Sequence, residues 1–166
     1  MIEAPAIVFN GQQEIIDRFR AGDLNRDFVA VVPFQGPKAN GMPELHRLTP
    51  PLSVLQDKGF NVALVTDGRM SGASGKVPAA IHLTPEAFDG GIIAKIRDGD
   101  VIRLDADAGE LDVMAKFEEL DRRTPSKPNL ACERWGSGRE LFAAMRSSVN
   151  QAESGAMSFA LEELCK

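Results

Sequence analysis

Two unbroken apolar runs, Phe28-Val-Ala-Val-Val-Pro-Phe34 and Asn61-Val-Ala-Leu-Val-Thr66, constrain this chain more than any other feature. A strand with one wet face alternates apolar and polar residues. These runs do not alternate, so each is expected to be a strand buried on both faces. Such strands need cover on either side, which favours an α/β domain over a helical bundle or a two-sheet sandwich. The 166 residues are enough for one core, and residues 1–166 are read as a single domain.

The remaining pattern fills in that frame. Ala6–Phe9 is a short strand, and Asn10 with Gln13 fits a capping box opening a helix that carries Ile15, Ile16 and Phe19 and stops at Gly22. Pro51–Lys58 has the spacing of a short helix ending at Gly59. Ile92–Arg97 and Asp100–Asp105 flank Asp98-Gly99, the dipeptide of a tight hairpin turn. Thr84-Pro85-Glu86 predicts a helix start with Thr as cap and Pro at the first position. Glu110–Val113 reads as a further strand, and Met114–Arg123 and Ser137–Asn150 as helices, the last with Leu141, Phe142, Met145 and Val149 on one face. Arg122-Arg123 reads as a solvated helix end, and Trp135 as a packing anchor.

Charge and composition exclude several classes of function. The net charge of −5 has the wrong sign for a general nucleic-acid binder. No apolar run approaches the ~20 residues of a membrane span. The start Met-Ile-Glu-Ala-Pro lacks the basic and apolar regions of a secretory signal, so a cytoplasmic protein is expected. The two cysteines, Cys132 and Cys165, are far apart and form no CxxC pair, four-Cys zinc site or disulfide framework.

Chemistry is expected in two loops, each directly after one of the buried strands. The first is Gly36-Pro-Lys-Ala-Asn-Gly-Met-Pro-Glu44; the second is Thr66-Asp-Gly-Arg-Met-Ser-Gly-Ala-Ser-Gly-Lys76. Loops leaving adjacent strand ends can converge on one cleft. Gly68, Gly72 and Gly75 permit tight turns that present N–H groups to an anion. Lys38, Arg69 and Lys76 are expected to put cations at the same mouth, suited to a carboxylate or phosphate. Thr66 and Asp67 are expected to shape the loop, with Asp67 orienting Arg69. The second loop is not a P-loop, because Met70 stands at the required first glycine and Val77 follows the lysine. Nor does Ser71 lie in a Gly-x-Ser-x-Gly elbow.

The two loops, extended to His46 and His82, resemble the signature segments of the dihydroxyacid dehydratase / 6-phosphogluconate dehydratase family. Gly90-Gly-Ile-Ile-Ala-Lys-Ile-Arg-Asp-Gly-Asp-Val-Ile-Arg-Leu-Asp105 continues the likeness in order. Ala39-Asn40 and Gly138-Arg-Glu-Leu-Phe142 look closer to the phosphogluconate branch. The likeness covers most of this chain but only the family's C-terminal domain. The fold it implies is a swivelling β/β/α domain with a mixed, barrel-like β-sheet and flanking helices.

The activity implied is dehydration of a 2,3-dihydroxy acid to a 2-keto-3-deoxy acid. The resemblance makes Ser71 the base that takes the C2 proton and Glu44 a magnesium ligand. Lys38, His46, Arg69, Gly72 and Lys76 are candidate contacts for an anionic sugar-acid substrate. An iron–sulfur cluster is implied, with its thiolates in an N-terminal domain of the same enzyme that would also share the magnesium ion. The parent would be a homodimer, and this domain inactive alone. On residue type alone, Ser71 reads as a hydroxyl satisfying a turn, Glu44 as the first-turn acid of a helix, and His82 as a structural residue. Two other readings stay open: a domain of another sugar-acid or dihydroxyacid dehydratase, and a catalytically silent binding or lid domain.

Overall fold

The computed structural model describes residues 1–71, 75–128, 130, 135–136 and 138–159. Six strands form one mixed sheet: β1 (Ile2–Val8), β2 (Phe28–Val32), β3 (Val62–Thr66), β4 (Ala79–Ala80), β5 (Val101–Asp105) and β6 (Glu110–Val113). Their order is β4-β3-β2-β1-β5-β6. Strands β1 to β4 run parallel, β5 is antiparallel to β1, and β6 is antiparallel to β5.

Every residue of β2 and β3 is buried, as continuous apolar runs require. Alternate side chains enter two cores. Phe28, Ala30, Val32, Val62 and Leu64 pack outward against Ile15 of α1 (Gln12–Ala21) and Leu52 and Leu55 of α3 (Thr49–Asp57). Burying each of these leucines contributes roughly 1.5–3 kcal/mol. Val29, Val31, Ala63 and Val65 point the other way, into a core shared with Ile102 and Leu104 of β5. Leu111 and Val113 of β6 pack on that same core. Strands three and more places apart in the order therefore face one interior, and the sheet curls into a nearly closed, barrel-like form.

Several local expectations change. Helix α1 ends at Gly22 in the left-handed conformation as expected, but its N-cap is Gly11 and not Asn10. Glu14 reaches back instead, accepting hydrogen bonds from the backbone N–H and Nδ2 of Asn10. Helix α3 starts at Thr49, continuing a 3-10 turn over His46–Leu48.

The expected hairpin across Asp98-Gly99 does not form. Ile92–Lys95 is a 3-10 turn, and the Asp98-Gly99 turn lays β5 onto β1, with Gly99 N–H donating to the Ala6 carbonyl. The hairpin is β5–β6, whose turn is held by Asp105 Oδ1 accepting from the N–H groups of Asp107 and Ala108.

Pro85 follows a cis peptide bond and does not open a helix; the 3-10 turn is Ala87–Asp89. Among the described residues, only Phe117–Arg122 (α4) and Ala143–Ser148 (α5) of the two C-terminal helical patterns are α-helical. On α5 and its approach, Leu141 is 77% exposed, and Phe142 and Met145 are about half exposed; Val149 alone of that set is buried. Trp135, expected as a packing anchor, is 72% exposed. Arg123, expected in solvent, is folded in. Its guanidinium bonds both oxygens of Asp100 and also Glu119, with the Arg123 and Asp100 side chains each 11% exposed.

Gly91 shows how tightly the 84–95 segment is packed. A Cβ built there would lie 1.7 Å from the Pro85 carbonyl oxygen. Backbone cannot yield as a side chain can, so Gly91→Ala is expected to destabilise the fold by about 3 kcal/mol, read from urea denaturation. A loss below about 0.5 kcal/mol, the usual range of surface substitutions, would contradict that packing.

Candidate active site

The two loops converge because residues at the strand ends lock them together. Thr66 Oγ1 donates to the Val32 carbonyl at 2.7 Å and accepts the Gly68 N–H at 3.0 Å. Asp67 is fully buried. Its Oδ1 accepts the Gln35 N–H at 2.8 Å, and its Oδ2 accepts those of Phe34 (3.1 Å) and Ala87 (2.8 Å). Burial raises its carboxyl above the ordinary range, against the pull of those N–H groups. Gly68 is needed for the approach, since a Cβ there would sit 2.5 Å from Gln35 Cβ. Asp67 therefore ties three segments together and does not orient Arg69.

The first loop is wound tightly over α2 (Pro37–Asn40), with the Gly36 carbonyl accepting the N–H groups of Asn40, Gly41 and Met42. Glu86, buried, supplies the missing cap by accepting the N–H groups of Lys38 (3.0 Å) and Ala39 (3.2 Å). Its carboxyl is also raised, first by burial and further by the negative charges of Asp67 and Asp89.

Glu44 then joins the loops at the surface. One oxygen accepts the backbone N–H of Ser71 at 2.7 Å and the other accepts Arg69 Nη1 at 2.8 Å. Arg69 Nε donates to the Met42 carbonyl at 2.8 Å, and the Leu45 N–H donates to the Arg69 carbonyl at 3.2 Å. Gln12 Nε2, at the start of α1, fixes the Glu44 carbonyl at 3.0 Å. Glu44, Arg69 and Ser71 thus form one surface group. Ser71 is exposed, and among the described residues its hydroxyl has no hydrogen-bond partner.

The other sequence candidates are distributed differently. Lys38 Nζ pairs with Asp89 at 2.7 Å, on the α2 side of the loops. Lys76 Nζ pairs with Asp57 at 2.5 Å, at the end of α3. Since Ala79 is in register with Leu64, Lys76 precedes the level of Val62, at the opposite end of the parallel strands from Ser71. The three cations therefore do not share one mouth. His46 is exposed on the 3-10 turn two residues beyond Glu44. Gly72 lies outside the described residues, as do Cys132 and Cys165.

Reading by residue type missed Glu86, Gln35 and Asn40, whose contacts span several segments. Three non-glycine residues at positive φ also border the site: Phe34 (62°), Met42 (51°) and His82 (58°). His82 donates its N–H to the Gly68 carbonyl at 2.9 Å. Strained backbone of this kind gathers at functional sites, and no sequence signal marks it.

Among the described residues no group of three or more His, Cys, Asp or Glu is arranged to hold a metal ion. Both Glu44 oxygens are already engaged by Arg69 and Ser71. The described residues alone complete neither an iron–sulfur site nor a magnesium site.

Comparison with known proteins gives a consistent result. The family model described as "Dihydroxy-acid/6-phosphogluconate dehydratase C-terminal" matches residues 1–156. A phosphogluconate dehydratase of Escherichia coli K12 is 59% identical over 156 residues, covering 94% of this chain and 26% of the relative. That of Pseudomonas aeruginosa is 58% identical over 163 residues, covering 96% and 26%. A dihydroxy-acid dehydratase of Saccharolobus islandicus is 38% identical over 162 residues, covering 94% and 27%. The chain spans about a quarter of the length of these relatives. No helix among the described residues is long and apolar enough to cross a membrane.

Proposed function

Because the chain belongs to the dihydroxy-acid/6-phosphogluconate dehydratase C-terminal family, we propose that it is the C-terminal domain of a phosphogluconate dehydratase. The parent hydro-lyase would convert 6-phospho-D-gluconate to 2-dehydro-3-deoxy-6-phosphogluconate in the cytoplasm. The observation that carries the reading is the Glu44–Arg69–Ser71 group, held on the signature loops, where an exposed serine and an arginine share one carboxylate.

Dehydration needs the C2 proton removed and the C3 hydroxyl to depart, leaving an enol that becomes the 2-keto acid. In this reading Ser71 takes the C2 proton and Arg69 holds the substrate carboxylate. Glu44 positions both, fixing Ser71 through its backbone and Arg69 through its side chain. Departure of the hydroxyl requires an acid or Lewis acid that the described residues do not supply. An N-terminal domain of the same enzyme, with its own cofactor, is the partner this reading requires; the parent is read as a homodimer. The greater identity to phosphogluconate dehydratases than to the dihydroxy-acid relative favours the phosphorylated substrate.

A substrate panel on the intact enzyme tests the assignment. 6-Phosphogluconate is expected to exceed gluconate and branched 2,3-dihydroxy acids in kcat/KM by at least about 100-fold, equivalent to about 2.7 kcal/mol. Equal use of gluconate would defeat the phosphate assignment. Preference for a branched dihydroxy acid would move the chain to the other branch.

A further inference from the structure

We infer that a cleft between the first loop and the C-terminal segment receives the distal phosphate of the substrate, with Arg146 as its principal contact. The inference rests on the phosphogluconate reading above. The cleft, about 390 Å³, is bounded on one side by Asn40, Gly41 and Met42 and on the other by Arg139 and Arg146.

Its charge is the first reason. Two guanidinium groups line it and no Asp or Glu does, among the described residues, although the chain as a whole carries −5. Arg146 is partly buried and forms no ion pair with any described residue. An arginine held in a cleft with no counter-charge among the described residues favours an incoming anion, and a guanidinium group matches phosphate oxygens in geometry as well as charge.

Its construction is the second. Arg139 Nη2 donates to the Asn40 carbonyl at 3.0 Å and also bonds Asn40 Oδ1, so one wall is tied to the first loop. The Arg146 stem packs on Gly41, where a Cβ would begin 3.6 Å from Arg146 Cδ. Arg146 is in this way steadied beside the loop without spending its charge. The apolar side chains of Phe142 and Met145, out of place as solvent-facing residues, line the same cleft.

Its location is the third. Met42 borders the cleft and its carbonyl also accepts Arg69 Nε. One residue therefore separates the cleft from the Glu44–Arg69–Ser71 group. A linear sugar acid with its carboxylate end at Arg69 and Ser71 would lay its chain past Met42 and its phosphate against Arg146.

The test is steady-state kinetics of the intact dehydratase carrying Arg146→Ala and Arg146→Lys. With Ala, KM for 6-phosphogluconate is expected to rise at least about 10-fold, the loss of one charge-assisted contact, with most of the effect on KM and not kcat. The preference over gluconate should shrink accordingly, and Lys should restore part of it. A KM within about twofold of wild type, or a fall confined to kcat, would overturn the assignment. Failure of the parent reading is distinguishable: wild-type enzyme would then show no preference for the phosphorylated acid, whatever residue 146 is.

Discussion

Ser71→Ala in the intact dehydratase is expected to lower kcat by about 10²–10⁴-fold, the usual span for losing a positioned general base. The change should leave the fold intact. Ser71 is exposed, and it is its backbone N–H, which alanine keeps, that Glu44 binds. Surface substitutions of this kind shift stability by no more than about 0.5 kcal/mol, so Tm should match wild type. A serine hydroxyl is a weak acid, and Arg69, two residues away, is already matched in charge by Glu44. Its activation must therefore come largely from groups brought by the rest of the enzyme and the bound substrate. Near-normal turnover in the alanine variant would remove Ser71 from the base role and leave the loop a scaffold.

The largest effect on stability is expected at Asp67. Removing its carboxylate by Asp67→Ala strands three backbone N–H groups, those of Phe34, Gln35 and Ala87, at a site with no water contact. Each stranded donor costs about 1–3 kcal/mol, so a loss of at least about 3 kcal/mol is expected. For a domain of this size that is a fall in Tm of roughly 6–12 °C. Asp67→Asn should be milder, since its carbonyl oxygen can keep one or two of the donors while its NH₂ faces the rest. Thermal melts followed by circular dichroism report both. An Asp67→Ala protein melting within about 2 °C of wild type, a loss of no more than about 1 kcal/mol, would mean that the loops are not held by this residue.

What could be read from sequence divides along physical lines. Phe28–Val32 and Val62–Thr66 were legible because burial on both faces writes an unbroken apolar run, a property of the strand itself. The 92–105 region was not, because the same Asp98-Gly99 turn serves either a hairpin or a return onto β1. Local pattern does not say that Ala6 is the partner. Leu141, Phe142 and Met145 follow helical spacing, yet spacing cannot tell a core face from one left open along a cleft.

The candidate site shows the same division. The loops and Glu44, Arg69 and Ser71 stood out by residue type and resemblance, and the structure brings those three together. Lys76 does not join Arg69, because the register of β4 puts it at the other end of the parallel strands, where it pairs with Asp57, and Lys38 pairs with Asp89. Asp67 and Glu86 act across 20 to 48 residues of sequence. A buried carboxylate capping distant N–H groups looks, in sequence, like any other acidic residue.

The central claim is that this domain presents Ser71, positioned by Glu44, to the reacting carbon of a phosphorylated sugar acid. The most direct measurement is a structure of the intact dehydratase with 6-phosphogluconate bound. Ser71 Oγ is expected within about 3–3.5 Å of C2, the range of a reactive approach, with Arg69 on the substrate carboxylate. A substrate whose C2 lies well beyond hydrogen-bond reach of Ser71, with another base beside it, would contradict it.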